Sequence, residues 1–367
     1  MKQPLPVHSR NAAIDHIRIF LTLLVIFHHV SIAYGGSGGW YWKEVEDGSN
    51  PLLIFFNAVN QSYFMGFFFL LAGYYTAPSF ERKGAMRFTK ERLLRLGIPL
   101  TVYFFGIAPF TVGLIRHHEG AGLFEGWWNM ILAKEFEPGP LWFAEALLLF
   151  TCVYVGWRLI RGKGNGLKTL PGALPLTFWA MGLGLVSFGI RLWLPVGESV
   201  LWLQLGYFPC YIFLFFAGIL CSQNQLLERI TFRQSWPWML VSAVAFAILV
   251  AVFFTRSQAG SFSGGWNLNA LFYALWDPFM AWGMILGLLW LSGKWFAGPT
   301  VVGSWLAGNA YGAYIVHPPI VVGFSLAFSQ VGWQPTLKLL VVGCLSCLCS
   351  LLLAALLRTI PGSRKIL

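Results

Sequence analysis

The chain has 367 residues, of which 57% are hydrophobic and only 11% are charged, so it cannot cover itself with a water-soluble surface. A soluble domain carries about 25% charged residues, and most of this surface must therefore face lipid. A net charge of +11 would suggest nucleic acid as the partner of a soluble protein, but here the basic residues lie in short connections between apolar runs. Such residues set membrane topology and meet lipid headgroups, so we predict membrane lipids and no nucleic acid among the partners.

Ten apolar runs are long enough, at about 20 residues each, to cross a membrane as helices. They cover residues 14–34, 51–75, 97–116, 140–160, 173–195, 201–222, 237–256, 268–291, 304–328 and 336–358. The first run ends in His28, His29 and Tyr34 rather than in small residues, so we expect a retained helix and no cleavable signal peptide. We predict an all-α integral membrane protein in which residues 1–367 form one transmembrane domain without a separate soluble domain.

The basic residues are concentrated in alternate connections. Those on the Met1 side include Lys2, Arg10 and a basic loop at 81–95, and the opposite connections hold far fewer. Lys and Arg favour the cytosolic side, so the alternation predicts an even number of spans and both termini in the cytosol.

The connections on the opposite side, 35–50 and 117–139, are rich in Trp and carry acidic residues that include Glu44, Glu46, Asp47, Glu135 and Glu137. Aromatic and acidic loops contact sugars in many proteins, and Trp also anchors helices at the membrane interface. The sequence leaves both interpretations open.

Ionisable side chains inside spanning helices form a further set of candidates. Each costs at least about 2.5–3.5 kcal/mol at the membrane centre, and such residues commonly mark functional sites. The set consists of Arg18, His28, His29, Glu145, Arg191, Asp277 and His317.

Arg18 and His29 are separated by 11 residues, which is within about 20° of three full helical turns. Their side chains therefore share one helix face, about 16.5 Å apart along the axis, and His28 is turned about 80° away. A permanent cation near the cytosol suits phosphate, and a buried imidazole suits proton transfer. The alternative is structural, with Arg18 paired to Asp15 and His29 hydrogen-bonded to a neighbouring helix.

Arg92 and Arg95 lie three residues apart at the start of the third span. Two guanidinium groups on one face can hold a phosphorylated ligand, or they can act only as topology signals. His317 precedes Pro318 and Pro319, and Asp277 precedes Pro278. Prolines interrupt a helix where it lines a cavity or is covered by other helices, and a plain structural kink is the alternative.

Taken in order, these motifs resemble those of the acyltransferase-3 family of bacterial membrane proteins. The first-helix pattern of an Arg, ten residues and a His is carried by Arg18 and His29. The other matching segments are the aromatic run 66–73, the arginine pair in 92–95, Leu141-Trp142-Phe143 and the run 314–318 that ends in His317-Pro318. The chain departs from the family in having Ala72 where many members have Ser, in its doubled histidine, and in lacking the extracytoplasmic domain fused to some members.

The resemblance implies a multi-pass O-acyltransferase of the cell (inner) membrane. It would move an acyl group from cytosolic acyl-CoA to a hydroxyl of an exported carbohydrate or lipid-linked acceptor. The acyl group is most often acetyl, and the donor is then acetyl-CoA. On this resemblance Arg92 and Arg95 hold the CoA phosphates, and Arg18 helps to position the donor. The pantetheine arm follows the first helix to His29, which acts as general base. Glu145, Asp277 and His317 are candidates to orient His29, and no metal is implied.

Two other classes of function stay open from the sequence alone. A secondary transporter for a small polar or anionic solute shows the same ten helices, midplane charges and broken helices. A membrane sensor or scaffold is the third class, although no output domain supports it. The identity of the acyl group, acetyl or succinyl or another, is not encoded in any motif.

Overall fold

The structure, a computed structural model, describes residues 11–45, 48–133, 136–256 and 260–367. Lys2, Arg10, Glu46, Asp47 and Glu135, which entered the sequence predictions, lie outside these ranges. The described residues contain ten helices long and apolar enough to cross a membrane, which confirms the predicted number of spans. We label them together with one short helix, α4: α1 Ala12–Ala33, α2 Pro51–Lys83, α3 Ala85–His118, α4 Leu123–Ala133, α5 Gly139–Arg161, α6 Ala173–Arg191, α7 Leu205–Ser222, α8 Phe232–Arg256, α9 Leu268–Trp295, α10 Val301–Ala327 and α11 Pro335–Leu357.

Several helices begin at a polar capping residue placed just before an apolar run. The Asn11 side chain accepts a hydrogen bond from the backbone N–H of Ile14, and Asn50 caps α2 in the same way, with Pro51 in the first turn. Thr300 caps α10 through the N–H of Gly303. These caps satisfy N–H groups that have no partner within the helix, which is why the helices begin at these residues.

The predicted basic loop at 81–95 is not a loop. Helix α2 continues to Lys83, the chain turns at Gly84 with φ 75°, and α3 begins at Ala85. Glu, Lys, Arg and Met favour the helix, and a positive φ costs glycine little, so this one residue provides the break. Within α3 two π-helical segments, Leu93–Gly97 and Tyr103–Ile107, interrupt the regular hydrogen bonding.

Helix α1 lies at the centre of the bundle, where it contacts α2, α9, α10 and α11. Helices α2 and α7 approach each other closely at Gly73 and Gly218, where an added methyl group would overlap the backbone of Phe215 or of Leu70. Helices α6 and α8 are the least buried and face lipid over most of their surface. The functional candidates on α1 are therefore surrounded by other helices.

The two ends of the bundle differ in charge. At the end where α2 meets α3, Arg158 and Lys163 both contact Glu81, at 3.4 and 2.9 Å. We call this the basic end, and the opposite end, where α1 meets α2, the cavity end. Because the ten spanning helices run alternately between the two ends of the bundle, residues 11 and 367 both lie at the basic end. That this end faces the cytosol stays a prediction from the distribution of Lys and Arg.

Candidate active site

A cavity of about 1010 Å³ opens between the helices at the cavity end. Its walls come from α1, α2, α5, α7, α8, α9 and α10, and from the connections that precede α2, α5, α7 and α9. The lining is rich in aromatic rings, and polar groups are set among them: His28, His29, Trp40, Asn57, Gln61, Glu137, Trp142, Tyr207, Tyr211, Tyr273 and Tyr314. A concave, largely apolar pocket with a few convergent polar groups is the usual form of a small-molecule site.

His29 lies where α1, α10 and the first connection (residues 34–50) meet. Its ring stacks on Trp40 with centroids 4.0 Å apart and planes 17° apart. The ring of His317 lies on α10 at 5.4 Å and 16°. The structure therefore brings together two of the predicted site residues, which are far apart in sequence: His29 lines the cavity, and the fully buried His317 packs against it outside the lining.

The orientation of His317 follows from the proline after it. Pro318 has no N–H, so the carbonyl of Tyr314, which that N–H would bind in a regular helix, is left free. His317 Nδ1 lies 2.6 Å from this carbonyl oxygen, and because a carbonyl only accepts, Nδ1 carries the proton. In the neutral ring Nε2 then holds the lone pair, and it has no hydrogen-bond partner in the described part of the chain.

His28 also lines the cavity, so the helix face does not separate the two histidines as simply as the spacing suggests. It does contact a neighbouring helix, since its ring lies 4.9 Å from that of Phe64 on α2. His28 is buried, whereas His29 is partly exposed toward the cavity. The two rings differ in their contacts, because only His29 packs against both Trp40 and His317.

Arg18 lies near the basic end, with 39% of its side chain exposed, and pairs with Asp15 at 3.1 Å. Thr22 and Val25 occupy the same helix face between Arg18 and His29, and both are buried. This face of α1 is therefore filled by side chains, and it offers no open route from Arg18 to His29 in this structure.

Arg92 and Arg95 lie beside Tyr311 of α10. Arg92 donates to the hydroxyl of Thr76 at 3.1 Å and lies over the ring of Phe88, while Arg95 is exposed. The Tyr311 hydroxyl donates to the backbone carbonyl of Arg95 at 2.7 Å, inside the first π-helical segment of α3. One turn further along α10, Tyr314 lines the cavity. Tyr311 and Tyr314 thus connect the arginine pair with the cavity wall.

The other two supporting candidates lie elsewhere. Asp277 forms a buried ion pair with Arg191 of α6 at 2.5 Å, and Arg191 also donates to the Gly206 carbonyl and lies over the rings of Tyr207 and Tyr273. This pair stands behind the aromatic wall of the cavity rather than beside His29. Glu145 is half-buried on α5 and is not among the residues that line the cavity in the described chain.

Sequence reasoning did not single out several residues of the site. Tyr207, Tyr211 and Tyr273 lie in apolar runs, where an aromatic residue that lines a cavity looks the same as one in the core. Glu137 was noted only as part of an acidic connection, and it lines the cavity where burial raises the pKa of its carboxyl. Lys338 was not singled out either, and its nearly complete burial, which only the structure shows, marks it as a residue that needs a partner.

With this geometry established, comparison with known proteins identifies the class of the chain. The pattern of the acyltransferase-3 family, described as an acyltransferase domain, matches residues 11–355. The chain therefore belongs to this family of membrane acyltransferases, which confirms the resemblance found in the motifs. No solved structure matches the chain.

Among curated relatives, the chain is similar to glucans biosynthesis protein C of Escherichia coli K12, with 30% identity over 179 residues. The protein of the same name from Shigella dysenteriae serotype 1 is 29% identical over 179 residues. Each alignment covers 45% of this chain and 44% of the relative, so the matched region spans less than half the length of these relatives.

Proposed function

We propose that this protein is a membrane O-acyltransferase that moves an acyl group, with acetyl as the first candidate, from acyl-CoA at the basic end to a hydroxyl of a carbohydrate acceptor in the cavity. The basic end faces the cytosol of a cell with an inner membrane, and the ten helices act as one domain. The observation that carries the proposal is that His29 lines an aromatic cavity with the buried ring of His317 stacked against it, and that an arginine pair lies on the basic side of this cavity.

The cavity suits a sugar. Trp142, Tyr207 and Tyr211 present flat rings on which the apolar faces of a pyranose can stack, and their polar atoms bind hydroxyls. Gln61 donates to the Tyr211 hydroxyl at 3.2 Å and lines the same wall. The relatives are named for glucans, which favours a glucan or a lipid-linked carbohydrate as the acceptor.

The chemistry needs one base at the acceptor hydroxyl. His29 removes the hydroxyl proton while the acceptor oxygen attacks the thioester carbonyl. A new C–O ester bond then forms, the C–S bond breaks, and CoA leaves as a thiolate that takes up a proton. His317 is the supporting residue that the geometry favours, because its ring lies against His29 whereas Asp277 and Glu145 stand elsewhere.

The donor binds at the basic end. Arg92 and Arg95 hold the CoA phosphates, and Arg18, partly exposed at the same end, helps to position the donor. Because the α1 face between Arg18 and His29 is filled, we place the pantetheine arm between α3 and α10, along Tyr311 and Tyr314. The Tyr311 hydroxyl donates to the backbone carbonyl of Arg95 in α3, and the Tyr314 hydroxyl donates to that of Pro140, so both hydroxyls lie along this path.

The function is tested by measuring free CoA thiol released from acetyl-CoA or succinyl-CoA by the purified protein, with and without glucan acceptors. We expect thiol release that depends on the acceptor, together with an ester-linked acyl group on the glucan. A secondary transporter would release no CoA under any of these conditions, and that result would overturn the proposal.

Replacing Arg92 and Arg95 by alanine is expected to weaken acyl-CoA binding by about tenfold each, the effect of losing a hydrogen bond to a charged group. Lysine should substitute poorly, because it lacks the planar fork that binds a phosphate through two bonds. Acyl-CoA affinity is measured directly on purified protein present at normal levels.

Arg87→Ala is the matched control for these variants. Arg87 lies on the same helix, is 75% exposed and pairs only with Glu91 among the described residues, so its loss should leave donor affinity unchanged. If the Arg92→Ala/Arg95→Ala double variant bound acyl-CoA with unaltered affinity, the two arginines would not bind the donor and would serve only to set the membrane topology.

A further inference from the structure

Lys338, in the first turn of α11, is a lysine that the structure holds almost entirely out of solvent. It is 1% exposed, and its Nζ lies 2.6 and 2.7 Å from the two carboxylate oxygens of Glu44. The same ammonium lies 5.5 Å from the centre of the Tyr34 ring. Burying the charge of a lysine in a membrane helix costs free energy unless the charge is paired, so the fold depends on the contact with Glu44.

Glu44 belongs to the first connection, whose described residues fold back over the end of α1. The Glu44 N–H donates to the carbonyl of Ala33 at 2.8 Å, and the Asn50 N–H donates to that of Gly35 at 3.1 Å. Asn57 of α2 donates to the carbonyl of Ser37 at 3.0 Å. The ion pair therefore ties α11 to a segment that is already bound to α1 and α2.

Trp40 is the side chain that this arrangement places at the site. It stacks on His29, with ring centres 4.0 Å apart, lies 6.0 Å from the His317 ring, and also lines the cavity. A series of contacts thus connects Lys338, through Glu44, the first connection and Trp40, with the ring of His29, which acts as base in the proposed function.

We propose that the Lys338–Glu44 pair positions Trp40, and that Trp40 both orients the imidazole of His29 and forms the wall on which the sugar ring of the acceptor stacks. Lys338 and Glu44 are positioning residues, and Trp40 contacts the acceptor. The inference rests on the proposed function for its kinetic part, whereas the placement of Trp40 by the ion pair is independent of it.

The placement is tested on the purified full-length protein with a thiol probe at Gly39→Cys. Gly39 lines the cavity beside Trp40, and an added Cβ there meets no atom within 4 Å, so the substitution leaves the packing intact. The rate at which a hydrophilic maleimide labels residue 39 is followed by peptide mass spectrometry. We expect Lys338→Met and Glu44→Gln each to raise this rate several-fold.

The control is Lys294→Met, the same exchange at an exposed lysine of α9 near the basic end, which should leave the rate unchanged. The charge reversal Lys338→Glu/Glu44→Lys should bring the rate back toward that of the parent protein, because the pair is restored. Equal labelling rates in the parent, Lys338→Met and Glu44→Gln proteins would overturn the positioning role, whether or not the protein transfers acyl groups.

The kinetic part uses Trp40→Ala and Trp40→Phe in the transfer assay. Trp40→Ala should raise KM for the acceptor by about two- to tenfold, the range of a ring-stacking contact, lower kcat, and leave KM for acyl-CoA unchanged. Trp40→Phe, which keeps a flat ring, should recover most of the loss. A purely structural role would shift both KM values alike and would contradict the assignment, as would an unchanged acceptor KM.

Discussion

Replacing His29 by alanine is expected to lower acyl transfer by about 10²–10⁴-fold, the contribution of a general base, while the protein still inserts and still binds acyl-CoA. The reason lies in its contacts. The ring of His29 borders the cavity, stacks on Trp40 and lies against His317, so it is placed to meet an acceptor hydroxyl there. The measurement is turnover per folded molecule, with donor affinity determined on the same samples.

His28→Ala is the matched control, one residue away on the same helix. Its ring packs against Phe64 and is buried, so we expect a modest effect, comparable to the about 0.6 kcal/mol typical of a polar contact between membrane helices. Equal and small losses in both variants would assign both rings to helix packing. Normal turnover in His29→Ala would move the base to His317, whose Nε2 lone pair has no hydrogen-bond partner within the described ranges.

Removing the carboxylate of Asp277 is expected to destabilise the protein by about 3–5 kcal/mol, because Asp277→Ala leaves the Arg191 guanidinium buried without its counter-charge. The pair joins α6 to α9, and Tyr207 and Tyr273 pack over the guanidinium, so the cavity wall should loosen with it. The free energy of unfolding in detergent, or the midpoint of thermal inactivation, measures the effect.

Two comparisons separate this effect from a general loss of charge. Glu91→Ala removes a partly exposed carboxylate on α3 that pairs with Lys83 and Arg87, and should cost no more than about 1 kcal/mol for each pair. The double variant Arg191→Met/Asp277→Leu replaces the whole pair by apolar groups and should recover most of the stability. If Asp277→Ala lowered the stability no more than Glu91→Ala does, the Arg191–Asp277 pair would contribute little to the stability of the fold. Asp277 would then again be a candidate for a direct role in catalysis.

The number of spans could be predicted from the sequence because the constraint is local. Each segment in hydrocarbon must satisfy its own backbone hydrogen bonds as a helix, so length and hydropathy suffice to locate it. The same rule was too coarse at 81–95, where charge density suggested a loop. Charged residues with long side chains favour helices, and only Gly84 ends one.

Parts of the site could also be anticipated. The Arg18–Asp15 pair lies within one helix, at a spacing of three residues that places such side chains next to each other on the helix surface. The position of His317 before two prolines indicated a local break, and the freed Tyr314 carbonyl that holds its Nδ1 is a direct consequence of that order of residues. These features depend on neighbours along the chain and need no knowledge of the packing.

The amino-acid sequence by itself determined the helical membrane fold, its ten spans, the family motifs and the candidate residues His29, Arg92, Arg95 and His317. Only the tertiary structure decided which partners the buried charges have. Asp277 meets Arg191 across 86 residues, and Lys338 meets Glu44 across 294, so no spacing rule connects them. The physical reason is that a buried charge must find its counter-charge wherever helix packing places one, and that choice belongs to the assembled bundle.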